Sequence, residues 1–366
     1  MIREYELNIG PNHPGIHGNF QIHLKLEGDT IVEAKGNSGY LHRAFEKLME
    51  QRTYLQNLAL IPRVCVPEPD INEAAYAMAI EELMGVEIPE RAKFIRTIVL
   101  EAARSMALLL HFGGTAAMLG NYTVNYWAVA DRDLMIDIFL KLSGARVYHM
   151  YIWPDGVRRD TYPGFEDDIL GWVKYMKERL PEYDNLFFKN PMFMHRARGL
   201  AKISKEEALQ MGVTGPNLKA TGVKVDVRLD EPYAAYPYLD FGVPVLDDGD
   251  AWAREIQRRL EFELSLNLIE QAVKKMPKGE VWKKMPNPFK WVIPEGEAYA
   301  RVESSRGEYG YYFVSDGTDK PYRVAIRGVS MPHMYPLAEK LLVGQKLSDA
   351  PFILETLDIC PPEIDR

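Results

Sequence analysis

The sequence contains few cysteines, and they are far apart. Its 366 residues include only Cys65 and Cys360, which are separated by 295 positions (360 minus 65). Two such cysteines cannot form the disulfide framework of a small secreted domain. They also cannot hold a four-iron cluster alone, because that cluster takes four cysteine ligands. We therefore expect a protein of a reducing compartment that binds no iron–sulfur cluster by itself.

The chain also lacks a long uninterrupted apolar run. Its most apolar stretch, residues 98–116, contains Glu101, Arg104 and His111, which a lipid-facing helix would not tolerate. The N-terminal sequence has neither the charged start nor the apolar core of a signal peptide. We therefore expect the chain to stay in the cytoplasm and to reach a membrane only where other chains hold it.

An excess of basic residues is absent too. The 44 Lys and Arg stand against 52 Asp and Glu, which gives a net charge of -8. This balance provides no basic face for nucleic acid, and an acidic surface repels anionic lipid. The 47% hydrophobic and 26% charged content is ordinary for a folded protein, and 366 residues are long for one compact domain.

The order of sequence patterns predicts an α+β protein with a helical centre. Alternating residues near the N-terminus predict strands joined by a turn at Gly28-Asp29. The capping-box spacing of Asp70 and Glu73 predicts a helix start, and Gly113-Gly114 predicts the end of a helix that begins at Pro89. Further helices are expected over 131–143, 165–180, 250–275 and 337–342. Strands are expected over 5–10, 20–28, 30–36, 223–229, 300–304, 310–316 and 322–328.

These elements divide the chain into five regions. The expected regions are an N-terminal antiparallel β region (1–39), a helical core (40–180), a mixed α/β region (181–247), a long helix (248–285), and a C-terminal β meander with a site-bearing tail (286–366).

Three segments carry residues with chemical potential. The loop GPNHPGIHG contains His13 and His17, which could be metal ligands, proton relays or loop hydrogen-bonding groups. No cysteine or carboxylate stands nearby at ligand spacing, so the sequence favours a structural role for this loop.

The other two segments each place a glutamate three residues after a cysteine. They read PRVCVPEPD, with Cys65 and Glu68, and LDICPPEIDR, with Cys360 and Glu363. A cysteine without a partner in sequence is more often a small buried hydrophobe than a catalyst, and the glutamates could be ordinary helix-start acids. Arg63 and Asp358 flank the two cysteines and are candidates for orienting them.

Longer segments resemble a known family. Residues 10–18 and 39–57 resemble the opening of the quinone-site (D-type) subunit of respiratory complex I, and residues 143–160, 214–228 and 306–324 resemble later blocks in the same order. The resemblance covers residues 9–366. The same family includes the large subunits of membrane-bound nickel-iron hydrogenases, so the resemblance implies a hydrogenase large-subunit-like fold.

The resemblance also shows what the chain has lost. In the hydrogenases, two pairs of cysteines bind nickel and iron. The first cysteine of each pair stands here as Cys65 and Cys360, whereas Glu68 and Glu363 occupy the second, metal-bridging positions. In complex I, a histidine and a tyrosine bind the quinone headgroup; His17 matches the histidine, but Val66 replaces the tyrosine. These departures disfavour both a nickel–iron centre and a complete quinone site.

One retained cysteine per pair resembles the large subunit of the archaeal membrane-bound sulfane sulfur reductase. That resemblance implies an oxidoreductase subunit that passes ferredoxin electrons to polysulfide, coupled to ion translocation. A thiolate would attack or hold the sulfane sulfur, and buried glutamates would move protons. The resemblance implies a site made of Cys65, Cys360, Glu68, Glu363, His17, Arg63 and Asp358. It therefore also implies that the two cysteines lie close together in space.

The resemblance further implies partners and a location. Electrons would arrive from a 4Fe-4S cluster in an adjacent iron–sulfur small subunit (B-type), next to a C-type subunit and membrane-arm subunits (H-type and antiporter-like). The chain would lie on the cytoplasmic face of the cell membrane without contacting nucleic acid. Three alternatives stay open: a complex I-type quinone reductase subunit, a hydrogenase with a mixed Cys/Glu metal site, and a non-catalytic scaffold.

Overall fold

The computed structural model describes residues 4–13, 18–283 and 287–366. Within these ranges the strands form three antiparallel sheets, ordered β1-β2-β3, β4-β5 and β6-β7-β8. Their bounds are β1 Glu4–Ile9, β2 Gln21–Glu27, β3 Thr30–Asn37, β4 Ile152–Trp153, β5 Gly156–Val157, β6 Gly296–Glu303, β7 Glu308–Ser315 and β8 Pro321–Arg327.

Helices make up most of the rest. The α-helices are α1 Phe45–Gln51, α2 Tyr54–Asn57, α3 Pro69–Met84, α4 Glu90–Met118, α5 Tyr122–Ser143, α6 Phe165–Tyr183, α7 Pro191–Ala197, α8 Lys205–Gln210, α9 Gly215–Lys219, α10 Val227–Asp230, α11 Ala251–Lys275, α12 Ser330–Pro332, α13 Glu339–Leu342, α14 Ala350–Thr356 and α15 Pro361–Ile364. Short 3-10 segments cover Ile61–Arg63, Tyr236–Tyr238, Pro288–Lys290 and Leu347–Asp349, and π-helical segments cover Asp184–Phe188 and His333–Ala338. The α+β prediction is confirmed.

The N-terminal sheet matches its sequence pattern. Strand β2 buries Ile22, Leu24 and Leu26 on one face, as alternation along a strand requires. These side chains join one hydrophobic cluster with Leu341, and α13 packs against β3. The predicted turn at 28–29 is present between β2 and β3. This sheet therefore binds the N-terminal region to the C-terminal tail.

The centre of the molecule is a layer of long helices, in which α4 packs against α5 and α11. The predicted end of α4 at residues 113–114 is wrong, because the helix continues to Met118. A Cβ at Gly113 would lie 3.3 Å from the Cβ of Ala128 on α5. Gly113 therefore permits close helix packing rather than ending the helix.

Helix α3 begins at Pro69, next to the predicted start at Asp70, but it is not capped as predicted. Glu68 is the N-cap residue, and no side chain caps the helix, so the predicted capping box is wrong. Asp70 instead contacts His149 Nδ1 at 2.9 Å, while Glu73 accepts backbone N–H groups from residues 150–152. Contacts distant in sequence replace the local ones, because both carboxylates are buried and need partners.

Region 181–247 contains helices and no strand, so the strand predicted over 223–229, and with it the mixed α/β character of that region, is wrong. The alternation of polar and apolar residues over 223–229 reflects buried ion pairs rather than a strand. Lys219 Nζ donates to Asp226 at 2.7 Å, and Arg228 donates to the same carboxylate. These buried ion pairs turn residues 226–228 inward and start the short helix α10.

The C-terminal meander is confirmed as β6-β7-β8. Helix α3 packs on β6 and β7, where Tyr76 meets Phe313 edge to face with ring centroids 5.2 Å apart. The turn 304–307 joins β6 to β7 and is closed by a 2.8 Å hydrogen bond from Ser304 N to Gly307 O. This turn lies beside α3, at the centre of the candidate site.

Among the described residues, no helix is both long and apolar enough to cross a membrane. The helix predicted over 337–342 is present as a longer helical stretch from Ser330 to Leu342. After α15 the chain end is fixed by Asp365, whose carboxylate accepts the backbone N–H groups of Gly39 at 2.7 Å and Leu41 at 2.8 Å. The tail therefore lies beside the residues that follow β3.

Candidate functional site

The two cysteines meet in the interior. Cys65 lies in the bend that precedes α3, and Cys360 directly precedes α15. Both are buried, and their Sγ atoms are 3.6 Å apart. The prediction that they lie close together is therefore confirmed.

A buried arginine holds the surrounding charges together. Arg306 Nη1 lies 3.5 Å from Cys65 Sγ and donates to Glu68 Oε2 at 2.9 Å. Its Nε lies 3.3 Å from Asp358 Oδ1. The acids and thiols around it hold the pKa of Arg306 well above its ordinary value despite burial, so it is a permanent cation in the site.

Arg306 was missed by sequence reasoning, although it begins the segment 306–324 that carried part of the resemblance. The pair Arg306-Gly307 directly before a predicted strand indicates a tight turn, and such a turn can direct the arginine side chain inward. Nothing in the local pattern says which residues that turn would face.

Glu68 links Arg306 to the neighbouring backbone. Its carboxylate accepts the backbone N–H of Ser305 at 2.9 Å and the Ser305 hydroxyl at 2.7 Å. Burial raises the pKa of Glu68, while Arg306 and Ser305 oppose that rise. Glu68 thus joins the start of α3 to the turn 304–307.

Glu363 fixes the second cysteine. Its carboxylate accepts the backbone N–H of Ser330 at 2.8 Å and also the Ser330 hydroxyl. The backbone N–H of Cys360 in turn donates to Ser330 Oγ at 2.9 Å. This chain of hydrogen bonds sets the main-chain position of Cys360.

The acid–base state of Cys65 depends on its neighbour. Contact with Cys360 and burial raise the pKa of the Cys65 thiol well above its ordinary value, while the positive charge of Arg306 acts in the opposite direction. As long as Cys360 is a free sulfhydryl group, Cys65 is therefore a protonated thiol at neutral pH.

Asp358 stands on the cavity side of Arg306 in a left-handed conformation (φ 53°). His111 on α4 lies next to it, with Nδ1 3.8 Å from Asp358 Oδ1. The other ring nitrogen of His111 lies 2.9 Å from Glu255 Oε1 on α11. In the sequence, His111 stood out only as a polar residue within an apolar helix. That interruption was the only sign that His111 faces a site with Asp358.

Arg63 is placed differently from its prediction. Its guanidinium lies over the Tyr148 ring, 4.9 Å from the centroid, and donates to the carbonyl of Ala59, so it engages these groups rather than a cysteine. His17 lies outside the described residues, and its role stays a prediction. The next residue, Gly18, lies against Pro361, where a Cβ would be 2.8 Å from the proline ring.

A cavity of about 400 Å³ opens beside the cysteines. Cys360 lines this cavity, and Val66, which is 42% exposed, lies on its wall. Cys65 is not among the lining residues but contacts Cys360. The lining residues are Gly18, Leu41, Arg43, Val66, Pro67, Ala107, Leu110, His111, Arg306, Asp358, Ile359, Cys360, Pro361 and Pro362. The wall is therefore largely apolar, with charged groups near Cys360.

Cys65, Cys360 and Glu363 also form a possible ligand set. Their Sγ and carboxylate oxygen atoms lie within 4.8 Å of one another. Across residues 4–13, 18–283 and 287–366, this is the single group of three or more such side chains with that spacing.

Comparison with known proteins places this site in a family context. A sequence profile described as "Respiratory-chain NADH dehydrogenase, 49 Kd subunit" matches residues 118–291 and 283–366. The D subunit of the NADH-quinone oxidoreductase of Thermosipho melanesiensis is 51% identical over 365 residues, covering 99% of this chain and 100% of that protein. The D subunit of the F(420)H(2) dehydrogenase of Methanosarcina mazei is 36% identical, with 99% and 98% covered.

A solved structure is similar over its whole length. A chain of the membrane-bound sulfane sulfur reductase, described as an archaeal respiratory membrane complex, superposes with a TM-score of 0.96. The two chains are 48% identical, and the match covers 99% of this chain and 98% of the other. Similarity at this level extends to the arrangement of the elements that carry the site.

Proposed function

This chain belongs to the family of the 49 Kd (D-type) subunit of respiratory-chain NADH dehydrogenase, and from that premise we propose that it reduces sulfane sulfur within a membrane-bound respiratory complex. It is a complex I-like oxidoreductase subunit. The observation that carries the sulfur proposal is a pair of thiols 3.6 Å apart, one of which, Cys360, lines a cavity.

The chemistry of the cavity suits sulfane sulfur. Thiolates attack sulfur–sulfur bonds readily, and Cys360 lines the cavity. Arg306 provides a buried positive charge that favours the anionic sulfur species formed when such a bond breaks. The apolar remainder of the wall accommodates a soft, weakly hydrated sulfur chain.

Quinone reduction is the second candidate. It is favoured by the largely apolar wall of the cavity and by the name of the relative from Thermosipho melanesiensis. The position that faces the cavity at Val66 has no hydroxyl group, and two thiols have no role in binding a quinone. The geometry therefore favours sulfur over quinone as the acceptor.

The donor set does not fit a nickel–iron centre. Two thiolates and one carboxylate are fewer soft ligands than two metals of this kind need. Glu363 is held by Ser330, and the Arg306 cation lies next to Cys65, where it opposes a second positive charge. We therefore propose that this chain binds no cofactor by itself.

The remaining parts of the proposal concern the assembly. Electrons pass from ferredoxin through iron–sulfur clusters to a 4Fe-4S cluster in an adjacent B-type small subunit, and then into the cavity. A C-type subunit and membrane-arm subunits hold the chain at the cytoplasmic face of the membrane, where reduction is coupled to ion translocation. The family and the superposed respiratory complex support this assembly.

Comparing electron acceptors tests the proposal. The purified complex is supplied with reduced ferredoxin and offered polysulfide or an organic trisulfide, a soluble quinone, or protons alone. We expect sulfide or thiol release to be the fastest reaction. Faster quinone reduction would establish the second candidate, and hydrogen evolution with stoichiometric nickel would establish a hydrogenase. Unchanged turnover after replacing both Cys65 and Cys360 would instead indicate a scaffold.

A further inference from the structure

The two thiols are not equivalent. Cys360 lines the cavity, whereas Cys65 does not line it and contacts Cys360 with the two Sγ atoms 3.6 Å apart. Of the two, Cys65 contacts the guanidinium group of Arg306, at 3.5 Å. An incoming sulfur compound therefore meets Cys360 first, and the second thiol is adjacent to a fixed positive charge.

The distance between them permits a bond. A disulfide needs its sulfur atoms about 2 Å apart, so the 3.6 Å separation must shorten by roughly 1.5 Å. Both cysteines lie outside regular helices and strands, in the bend before α3 and the loop before α15. Side-chain rotation with a small local adjustment can therefore close the gap without disturbing a long helix.

The pKa of Cys65 depends on whether Cys360 has already reacted. While Cys360 carries a free sulfhydryl group, contact with it keeps the pKa of Cys65 high. Once Cys360 is bonded to another sulfur, its contribution to the raised pKa of Cys65 disappears. Burial and Glu363 still raise that pKa, and the adjacent positive charge of Arg306 lowers it. Cys65 thus loses its proton more readily after Cys360 has reacted than before.

We propose that Cys360 is the attacking thiol and Cys65 the resolving thiol, so that the site passes through a Cys65–Cys360 disulfide. This inference rests on the proposed function and deepens it by assigning a separate role to each thiol. The pair itself is a two-electron carrier between the substrate and the iron–sulfur cluster proposed for the adjacent small subunit.

For a trisulfide R–S–S–S–R, the steps balance. The Cys360 thiolate attacks an outer sulfur, the adjacent S–S bond breaks, and R–S–S⁻ leaves. The Cys65 thiolate then attacks Cys360 Sγ, and R–S⁻ leaves. The two thiol protons end on the two leaving groups, giving R–S–SH and R–SH. The trisulfide gains two electrons, the dithiol loses two, and two single-electron transfers with two protons restore the dithiol.

Trapping the intermediates tests the division of roles. The assembled complex is reduced, freed of reductant, mixed anaerobically with one equivalent of dimethyl trisulfide, and quenched with acid and an alkylating agent. In the native complex we expect a disulfide-linked peptide pair containing Cys65 and Cys360. In Cys65→Ser, we expect a methyl disulfide on Cys360 that persists. In Cys360→Ser, we expect Cys65 to react at least about tenfold more slowly than Cys360 does in the native complex.

The outcomes separate this inference from the proposed function. If the native complex reduces trisulfide with ferredoxin while both thiols stay free in the trapping reaction, the inference fails and the function stands. Equal reactivity of Cys65 in Cys360→Ser would also overturn it. If ferredoxin-driven reduction of trisulfide is absent, the proposed function fails. The native trapping reaction needs no variant, so it decides the matter even where a serine variant does not assemble.

Discussion

Arg306 determines the electrostatics of the site because its guanidinium contacts Cys65, Glu68 and Asp358 at once. It is buried, and so is Glu68. Removing one partner of a buried ion pair leaves an uncompensated charge, which is a large penalty. We therefore expect both the activity and the stability of the protein to depend on Arg306.

Arg306→Lys tests that dependence. Lysine keeps the charge but cannot direct one planar group at three partners, so we expect trisulfide turnover to fall at least about tenfold and stability to fall by about 2–4 kcal/mol. Turnover and thermal unfolding of the complex measure both. Arg323→Lys is the matched control, because Arg323 is half exposed and pairs with Glu46 and Glu50 away from the cysteines. Equal effects at both positions would contradict this account.

His333 provides a test by pH. Burial and nearby Arg258 lower its pKa to about 3, while an unfolded histidine titrates near about 6.5. Below that pH the unfolded chain binds a proton that the folded chain does not, so stability falls as pH falls, by up to about 1.4 kcal/mol per pH unit.

His333→Gln is expected to flatten this decline between about pH 6 and about pH 4, since glutamine can still accept the hydrogen bond from Asn217. Thermal midpoints measured across that range provide the check. His195→Gln, at an exposed histidine, should leave the slope unchanged. A slope that is the same in native protein and His333→Gln would show that His333 is not held neutral.

At the scale of elements, the turn 304–307 is positioned by α9. Gly215 starts that helix with φ 65°, and a Cβ there would lie 2.1 Å from the carbonyl oxygen of Arg306. No side chain larger than hydrogen fits at this contact. The position of Arg306 in the site therefore depends on a glycine more than 90 residues earlier (306 minus 215 is 91).

Gly215→Ala is expected to displace the turn and reduce turnover by about tenfold or more, with a stability loss above about 2 kcal/mol. The control is Gly212→Ala, since Gly212 also has a positive φ (69°) but no atom lies within 4 Å of the place a Cβ would take. That substitution should cost only about 1 kcal/mol of backbone strain. Similar losses of turnover in both variants would show that the contact between Gly215 and the Arg306 carbonyl does not position the turn.

A buried charge cluster joins α9, α10, α11 and β6. Lys219 Nζ contacts Asp226 at 2.7 Å, Glu303 at 2.9 Å and Glu261 at 3.1 Å. Asp226 also pairs with Arg228 and Glu261 with Arg104, so Lys219 belongs to a buried network in which cations offset carboxylates that would otherwise repel one another. The surrounding elements depend on it for their mutual packing.

Lys219→Met is expected to destabilise the protein by about 3–5 kcal/mol, because Glu303 loses this ion pair and the buried cluster loses one positive charge. Lys274→Met is the control: Lys274 is exposed on the same long helix α11 that carries Glu261, and its pair with Glu270 should contribute less than about 1 kcal/mol. Denaturant midpoints of the two variants compare them. Equal midpoints would show that the cluster does not stabilise the core.

Element-scale expectations failed where distant contacts override local ones. Asp70 and Glu73 have capping-box spacing but serve the loop 148–152 instead. Gly113 resembles a helix end but lies at a helix–helix contact. Strands with regular alternation, such as β2, were predictable because one face is buried uniformly. Local pattern specifies elements well where burial is periodic and poorly where a buried polar group selects a partner far along the chain.

At the scale of the whole molecule, the site assembles from segments at opposite ends of the sequence. Composition and periodicity could not bring Cys65 and Cys360 together; that expectation came from family resemblance, and the 3.6 Å separation confirms it. Arg306 and His111 were not predicted, because their roles arise only when β6-β7 and α4 pack beside the tail. The cavity is thus a property of the assembled fold rather than of any motif.

The central claim is that Cys360 delivers electrons to sulfane sulfur, and its most direct test is acceptor-specific turnover. Purified native and Cys360→Ser complexes are supplied with reduced ferredoxin, and sulfide or thiol release from a trisulfide is measured beside quinone reduction. We predict that the native complex prefers the trisulfide and that Cys360→Ser loses at least about 90% of that activity, as expected for removal of a nucleophile. Retention of full trisulfide activity by Cys360→Ser would contradict the account.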